Sequence, residues 1–531
     1  MQETTTMDDV DILLEDIVKE CGGFGKFQLL ITVIIFVSKI SVTWSMLMMA
    51  FGGATPDWWC NWQNSSNHEG HSKYSTEPPV MSFKKCHPPA NISTSNNCLG
   101  KIFSSDMNTV VSEWTLVCDD SWITSTITTI QMAGLLISGL LAGQMADTVG
   151  RKPTFYLSIL LMGLFNVCAA FSVSWEMFAG FRFLIGVSCG MYLTTVHISL
   201  IEFIPAKTRA MVCALPSWPV YAAFYGLLSY LLHDWKYIHF ATAVSTVPLL
   251  PTFWLVPESF RWLSSNCKKK EAEKVVEKIA KLNGREKPNL EKLSSVLTKE
   301  ANHKQKHHSV FDLFANPSLV KCTLLMSFCW LSCGYSYYAI AFGVDQLSGS
   351  LYLNMFLLSI IEIPSSLITW FLANRIGRRW TCFSLFGIAA FGGLSVGVVS
   401  LIDPPQASDL INGFALTSKL GVAGGWVALM TFTTESYPTV IRNTGFGLLS
   451  SVSRVGAMVA PQVVRWNKDI PGLLYFLCGS LMLLCAICCL ILPETKDKVL
   501  RNRIVKDIVP KSYTTPDDDI TRTGYSRIQA E

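Results

Sequence analysis

Charged side chains are scarce in this chain: Asp, Glu, Lys and Arg make up 15% of its 531 residues, against 50% for the hydrophobic types. Soluble domains carry roughly a quarter of their residues as charges. An ordinary soluble enzyme of this size is therefore excluded and a polytopic membrane protein expected. Motifs that carry chemistry are missing too. The sequence has no glycine-rich nucleotide loop, no zinc-like spacing of Cys and His, and no nucleophile and base placed for catalysis. Neither enzyme activity, cofactor nor metal is expected, and nucleic acid is not among the expected partners. The first thirty residues lack the basic start of a cleavable signal peptide and carry Asp8, Asp9, Asp11, Glu15 and Asp16 instead. The first apolar stretch should then stay as an uncleaved anchor. Acids are nearly absent from the apolar stretches themselves; Glu362 alone lies deep within one.

What is present is membrane-crossing length. Apolar windows of about 20 residues, enough for a hydrocarbon core of ~30 Å, run at 28–51, 122–145, 154–173, 177–200, 211–232, 238–256, 319–341, 350–372, 381–402, 410–432, 443–464 and 472–492. They imply an all-α membrane protein with twelve transmembrane helices in two pseudo-symmetric six-helix bundles. The expected divisions are a cytoplasmic segment 1–27, a first bundle 28–256 with a large outer loop 52–121, a cytoplasmic linker 257–318, a second bundle 319–492 and a cytoplasmic tail 493–531. Charge placement sets the orientation. Residues 257–317 hold thirteen Lys and Arg against eight Asp and Glu, whereas 52–121 hold four against seven. Basic residues flanking spans stay on the cytoplasmic side, which puts both termini and the linker inside and the 52–121 loop outside.

The contents of that loop agree. Both glycosylation sequons of the chain, at Asn64 and Asn91, lie there. So do four of the seventeen cysteines, Cys60, Cys86, Cys98 and Cys118, where an oxidising compartment permits two disulfides in any of three connectivities. The other cysteines read as small buried hydrophobes. Near the inner surface, Asp8 to Lys26 reads as a short amphipathic helix. Within the linker, Lys268 to Lys281 alternates charge around Val275, Val276 and Ile279 and reads as a solvated cytoplasmic helix.

The chain also repeats itself. Glu202-Phe-Ile-Pro-Ala-Lys-Thr-Arg209 returns as Glu435-Ser-Tyr-Pro-Thr-Val-Ile-Arg442, and Asp147-Thr-Val-Gly-Arg151-Lys152 returns as Asn374-Arg-Ile-Gly-Arg378-Arg379. Matching polar signatures between apolar spans are what a duplicated membrane bundle leaves in sequence. Two copies in register resemble the major facilitator superfamily. The resemblance narrows at Ser112-Glu-Trp-Thr-Leu-Val-Cys-Asp119, Pro257-Glu258-Ser259-Phe-Arg261-Trp262 and Pro493-Glu494-Thr495. With the cysteine-bearing outer loop, these look like the organic cation, organic anion and carnitine transporter family. The resemblance implies a cytoplasmic gate built from Asp147, Arg151, Glu202, Arg209, Glu258, Arg261, Arg378, Glu435 and Arg442. Asn374 departs from the pattern, standing where the first half has Asp147, and should weaken the second-half gate.

Charges deep in the spans are costly, at least ~2.5 kcal/mol each, and face a partner or a watery cavity. Lys39 lies about eleven residues, or ~16 Å, from either end of the first span, too far for its stem to snorkel. Arg182, Lys419 and Arg454 are equally deep, with Glu362 the single acid. Four bases against one acid suggest a cavity of positive potential that attracts carboxylates. Aromatic residues suited to an ammonium, Trp218, Tyr221, Trp330 and Tyr337, lie on the fifth and seventh spans, with Phe224, Tyr225 and Tyr338 beside them. His197 reads as a packing residue. By resemblance, Ser453-Arg454-Val455-Gly456 is similar to the anion and carnitine branches, and Glu362 to the acid of the cation and carnitine branches. A plasma-membrane carrier of zwitterionic or amphoteric organic ions is expected, working by alternating access. The residues leave open a polyspecific organic cation carrier, an organic anion exchanger and a non-transporting receptor. Coupling to sodium or to protons is open as well.

The sequons generate a direct prediction. In expressing cells, Asn64→Gln and Asn91→Gln should each raise gel mobility by one glycan, and the double variant should match enzymatically deglycosylated protein.

Overall fold

A computed structural model describes residues 16–61, 82–83, 86, 101–205, 208, 212, 216–266, 268–286, 313–314, 316–437 and 439–496. In the first half the helices are α1 (Lys26–Gly52), α2 (Val110–Glu113), α3 (Trp122–Thr148), α4 (Arg151–Ala170), α5 (Trp175–Phe203), α6 (Ser217–Leu232) and α7 (Trp235–Thr246), the last continued by a 3₁₀ turn, Val247–Phe253. Two helices follow, α8 (Phe260–Ser265) and α9 (Lys269–Leu282). The second half comprises α10 (Pro317–Phe342), α11 (Leu351–Ile360), α12 (Glu362–Arg375), α13 (Arg378–Ile402), α14 (Ala407–Ser436), α15 (Thr439–Asp469) and α16 (Leu473–Ile491). Among the described residues, nine segments are long and apolar enough to cross a membrane. Each of the twelve apolar windows overlaps a helix. The three that fall short are α6, of 16 residues, the broken α7, and the more polar α15.

Helices are what an apolar chain adopts where lipid offers no hydrogen-bonding partners, because each satisfies its own backbone. Side chains close the ends. Ser174 accepts the Met177 N–H at the start of α5, and Asp234 accepts that of Lys236 at the start of α7. One interruption matters for the site. Pro364 has no N–H to offer the carbonyl four residues back and its ring crowds that carbonyl, so the eighth span parts at Ile361 into α11 and α12. Glu362 begins the second piece.

Within the first half α3 and α4 pack on α5, and α1 packs on α6 and α7; within the second, α13 packs on α14 and α16, and α10 on α15. The α10 and α15 backbones approach so closely that a Cβ on Gly334 or Gly456 would strike the other helix's backbone. This contact fixes where Arg454 stands. The halves meet through α3 against α15 and α6 against α11.

The outer loop holds a small antiparallel sheet of β1 (Trp58–Asn61), β2 (Ser82–Phe83) and β3 (Lys101–Phe103), in the order β2-β1-β3. Cys86 is bonded to Cys118, which leaves Cys60 and Cys98 as the remaining pair of the three connectivities. Cys98, Asn64 and Asn91 lie outside the described residues, as does the Cys60 side chain. Trp114, from the motif before α3, wedges against Phe178 and Trp235, with ring centroids 5.4 Å away in both cases. That motif thus pins the loop to the first half.

The linker corrects one expectation. Helix α9 is not solvated on all sides: Ala272, Val276, Ile279 and Ala280 are buried, and Val276 and Ile279 join Ile17, Val18 and Cys21 in one apolar cluster. Asn283 closes the joint. Its Oδ1 accepts the Phe27 N–H at 3.0 Å, and its Nδ2 donates to the Cys21 carbonyl at 2.8 Å and to Gln28 Oε1 at 3.0 Å. Of the apolar residues read in this stretch, Val276 and Ile279 continue through Ala272 and Ala280 into a stripe at helical spacing, and that face is covered. Asn283→Ala leaves three partners short and should cost about 1–3 kcal/mol locally. Limited trypsinolysis should then cut faster at Lys19 and Lys26 than in the parent chain.

Candidate functional site

At the linker end the two halves repeat one device. Gly150 (φ +122°) and Gly377 (φ +95°) precede α4 and α13 in a conformation that favours glycine. Into the space that a Cβ would fill comes a carboxylate, Glu258 in the first half and Glu494 in the second. Glu258 accepts the N–H of Arg151 at 3.0 Å and of Lys152 at 3.1 Å. Glu494 accepts those of Arg378 at 2.9 Å and Arg379 at 3.1 Å. A negative charge here satisfies orphan donors and meets the positive end of the helix dipole. Burial raises the Glu494 pKa, but backbone N–H groups of Lys496, Arg378, Thr495 and Arg379 outweigh it and hold the carboxyl below its usual value.

The guanidinium groups are thereby aimed at the inner acids of their own half. Arg151 reaches Asp147 at 2.5 Å and Glu202 at 3.4 Å. Arg378 reaches Glu435 at 3.0 Å and, lacking an acid at Asn374, donates to the Ala373 carbonyl at 3.1 Å. Thr495 donates to Glu435 at 2.7 Å, whereas the Oε2 of Glu202 is buried without a hydrogen-bond partner among the described residues. Glu258 is therefore a helix cap as well as a charge, and Glu494, from the Pro493-Glu494-Thr495 motif, is its counterpart in the second half. Arg261 and Arg442 are half-buried at this end, and Arg209 lies outside the described residues.

Midway along the spans, side chains from both halves converge. The Glu362 carboxylate pairs with the Lys419 ammonium at 2.9 Å, their side chains 9% and 3% exposed. The Tyr337 hydroxyl donates to the same Glu362 oxygen at 2.9 Å and accepts Trp218 Nε1–H at 2.7 Å. The Lys419 ammonium also lies 3.5 Å from the Tyr337 ring centroid. Trp218 comes from α6 in the first half; the other three come from α10, α12 and α14. Around Tyr337, Glu362 and Lys419 lies a cavity of about 30 Å³, also lined by Leu47, Ala222 and Met355. That holds water but no organic ion.

Other expected residues sit around this cluster. Arg454 is half-buried beside the Tyr338 hydroxyl, and among the described residues no carboxylate lies within 4.0 Å of its guanidinium. Lys39, also half-buried, donates to Ser217 at 3.1 Å. Tyr221 accepts the Trp44 indole N–H on its carbonyl at 3.0 Å. Trp330 stands one layer behind: it is 2% exposed, donates to Thr433 at 2.9 Å and packs on Trp426, which in turn packs on Tyr337. Trp426 was missed because nothing in its neighbourhood marks it. Arg182 is not brought to the cluster. It is fully buried within the first half, where Nη2 is bonded to Gln131 and the ring of Phe178 lies 6.0 Å from the guanidinium, while Nε and Nη1 have no hydrogen-bond partner among the described residues. Tyr225 is buried on the Met48 carbonyl, Phe224 is 53% exposed, and the His197 side chain lies outside the described residues.

Toward the loop end the halves are joined mainly by neutral groups, with a cation among them, Lys468, which lies 3.5 Å from Thr55 Oγ1 and 3.7 Å from Asp345. Thr129 donates to the Met458 carbonyl at 3.0 Å and accepts from Gln462 at 3.1 Å, while Tyr230 packs edge-on to Tyr352. Contacts there join the halves, whereas the linker-end pairs of Arg151 with Asp147 and Glu202 and of Arg378 with Glu435, among the described residues, lie within one half each.

Comparison with known proteins places this architecture. A family model described as "Sugar (and other) transporter" matches residues 32–502. The organic cation transporter protein of Drosophila melanogaster is 28% identical, covering 92% of this chain and 93% of that protein. Organic anion transporter 3 of Sus scrofa is 30% identical, with 92% of each covered. Organic cation/carnitine transporter 2 of Homo sapiens is 28% identical, covering 93% and 95%. The fold is similar to that of the xylose transporter XylE from E. coli in its inward open conformation, with a TM-score of 0.62 at 15% identity over 89% of this chain and 98% of that one.

The capped glycines yield a paired test. Gly377→Ala meets both a strained φ and a carboxylate and should cost about 1–3 kcal/mol, read as a lower thermal midpoint in detergent. Gly139→Ala, mid-helix with nothing within 4 Å of the added carbon, should leave the midpoint unchanged or raise it.

Proposed function

Because this chain belongs to the sugar (and other) transporter family, and within the major facilitator fold to the organic cation, anion and carnitine transporters, we propose that it carries small zwitterionic or amphoteric organic ions across the plasma membrane. The family comprises membrane transporters, not enzymes. On our reading both termini face the cytoplasm, and the two bundles rock about a midplane site.

The observation that carries the reading is the meeting of Trp218, Tyr337, Glu362 and Lys419 across the two halves. Glu362 takes the substrate ammonium, with the ring of Tyr337 and the indole of Trp218 beside it. Arg454 takes the carboxylate, with Lys39 and Tyr221 completing the wall. Trp330 supports Tyr337 through Trp426, and Arg182 holds the first half in shape. Lys419 occupies Glu362 when no substrate is bound. Entry then exchanges one ammonium for another, which keeps the buried acid neutralised throughout. Asp147, Arg151, Glu202, Arg209, Glu258, Arg261, Arg378, Glu435 and Arg442, joined by Glu494, form the gate at the linker end. A ligand drives the cycle only through different contacts in its two states. The same contacts at Glu362 and Tyr337 support a second reading, a polyspecific organic cation carrier, in which Arg454 takes no part. Whether sodium or protons couple to the movement is set by neither reading.

Uptake of labelled carnitine, β-alanine, tetraethylammonium and an aromatic carboxylate by expressing and control cells separates these readings. The zwitterion reading expects carnitine or β-alanine uptake to fall about tenfold or more in both Glu362→Gln and Arg454→Ala, the size of one lost charge-assisted contact. Arg454→Lys should recover part of it, at equal surface expression. Loss in Glu362→Gln with tolerance of Arg454→Ala would instead assign the cation carrier, and equal uptake in control cells for all four probes would refute transport of these ions.

A further inference from the structure

Two cations at the linker end have no part in the transport reading. Lys152, in the first turn of α4, places its ammonium 4.0 Å from the Phe253 ring centroid. Lys278, on α9, donates to the Leu255 carbonyl at 2.9 Å. Both ammonium groups are thus anchored on the same short stretch, Phe253 to Leu255, at the end of the sixth span, and like charges gathered there repel. The acid beside Lys152 is Glu258, which accepts its backbone N–H. Its carboxylate is already engaged by the N–H groups of Arg151, Lys152 and Ser259.

The surroundings are apolar and outward-facing. Trp254 is 76% exposed, Leu255 53% and Phe253 38%. In a membrane transporter, large apolar side chains with that exposure at a span's end meet lipid, and an exposed tryptophan there lies where hydrocarbon gives way to headgroups. Burial of the apolar face of α9 turns Lys274, Lys278 and Lys281 outward together, spaced four and three apart, with Glu271 ending the stripe. Two ammonium groups held together at headgroup depth, beside a ring that can lie among acyl chains, complement a phosphate that carries net negative charge.

We propose that Lys152 and Lys278 form a site for the phosphate of an anionic phospholipid in the leaflet on the linker side. Lipid chains lie along Trp254 and Leu255 while the phosphate bridges the two ammonium groups and relieves their repulsion. The site also ties the linker helix to the membrane surface, since Lys278 belongs to α9 and Lys152 to the first bundle. It does not depend on which organic ion is carried.

Trp254 provides the reporter. The full chain is reconstituted in nanodiscs that contain a minor fraction of phosphatidylserine or of phosphatidylcholine with brominated acyl chains, which quench nearby indoles. Subtracting the signal of Trp254→Phe isolates Trp254 from the other tryptophans. The expected result is a preference of about tenfold for the brominated phosphatidylserine, from two lysines near the surface, falling toward one in the Lys152→Gln, Lys278→Gln double variant. Equal quenching of the parent chain by the two lipids overturns the site, and that arm needs no variant to fold. Millimolar inorganic phosphate should leave the preference intact. Its abolition by phosphate would assign the pair to soluble phosphate and overturn the lipid assignment.

Discussion

A carboxylate held among membrane helices must find a cation, and the pairing of Glu362 with Lys419 is the constraint around which the second half is arranged. Several elements serve it. Pro364 interrupts the backbone hydrogen bonding of the eighth span beside Glu362, α14 delivers Lys419 from the far side, and α10 contributes a hydroxyl and a ring. Removing either charge alone would strand the other in a poorly solvated interior. Trp218 extends the arrangement across the boundary between the halves, so that the state of the ion pair and the relation of the bundles are mechanically linked.

The linker end obeys a different logic. There each half completes its own circuit: a glycine admits a carboxylate, the carboxylate caps a helix, and the capped helix aims an arginine at an acid on the neighbouring span. The loop end joins the halves mainly through hydroxyl, amide and aromatic groups, with Lys468 reaching Thr55 as a charged exception.

Much of the fold was legible from the chain because its evidence is local. Length and apolarity mark spans, and the repeated Glu-Arg and Gly-Arg motifs mark the duplication. The central acid was legible for the same reason, since a lone Glu362 in an apolar window is conspicuous. Its partner was not. Lys419 and Arg454 are both deep bases, and only the packing of α14 against α12 decides which one Glu362 meets. Trp330 shows the same limit: spacing by seven puts it on the face of Tyr337, yet an intervening Trp426 sets it back a layer. Arg182 is as deep a base as Lys419 and Arg454, yet it is buried beside Gln131 within the first half and does not reach the Glu362 cluster. The burial of α9 escaped because a helix with many lysines and glutamates reads as solvated whichever of its faces is covered.

The small volume beside Glu362 has a consequence for how such a carrier rests between cargoes. On the proposed reading, Lys419 is a tethered amine that already sits in the seat a travelling amine would take, and a tethered group competes at an effective concentration in the millimolar range or above. An unloaded molecule is therefore plugged by part of itself. Such self-occupancy would suppress leakage of stray inorganic cations. It also makes apparent affinity a measure of displacement, so that a guest that grips moderately but dislodges the tether well can travel faster than one that merely grips tightly.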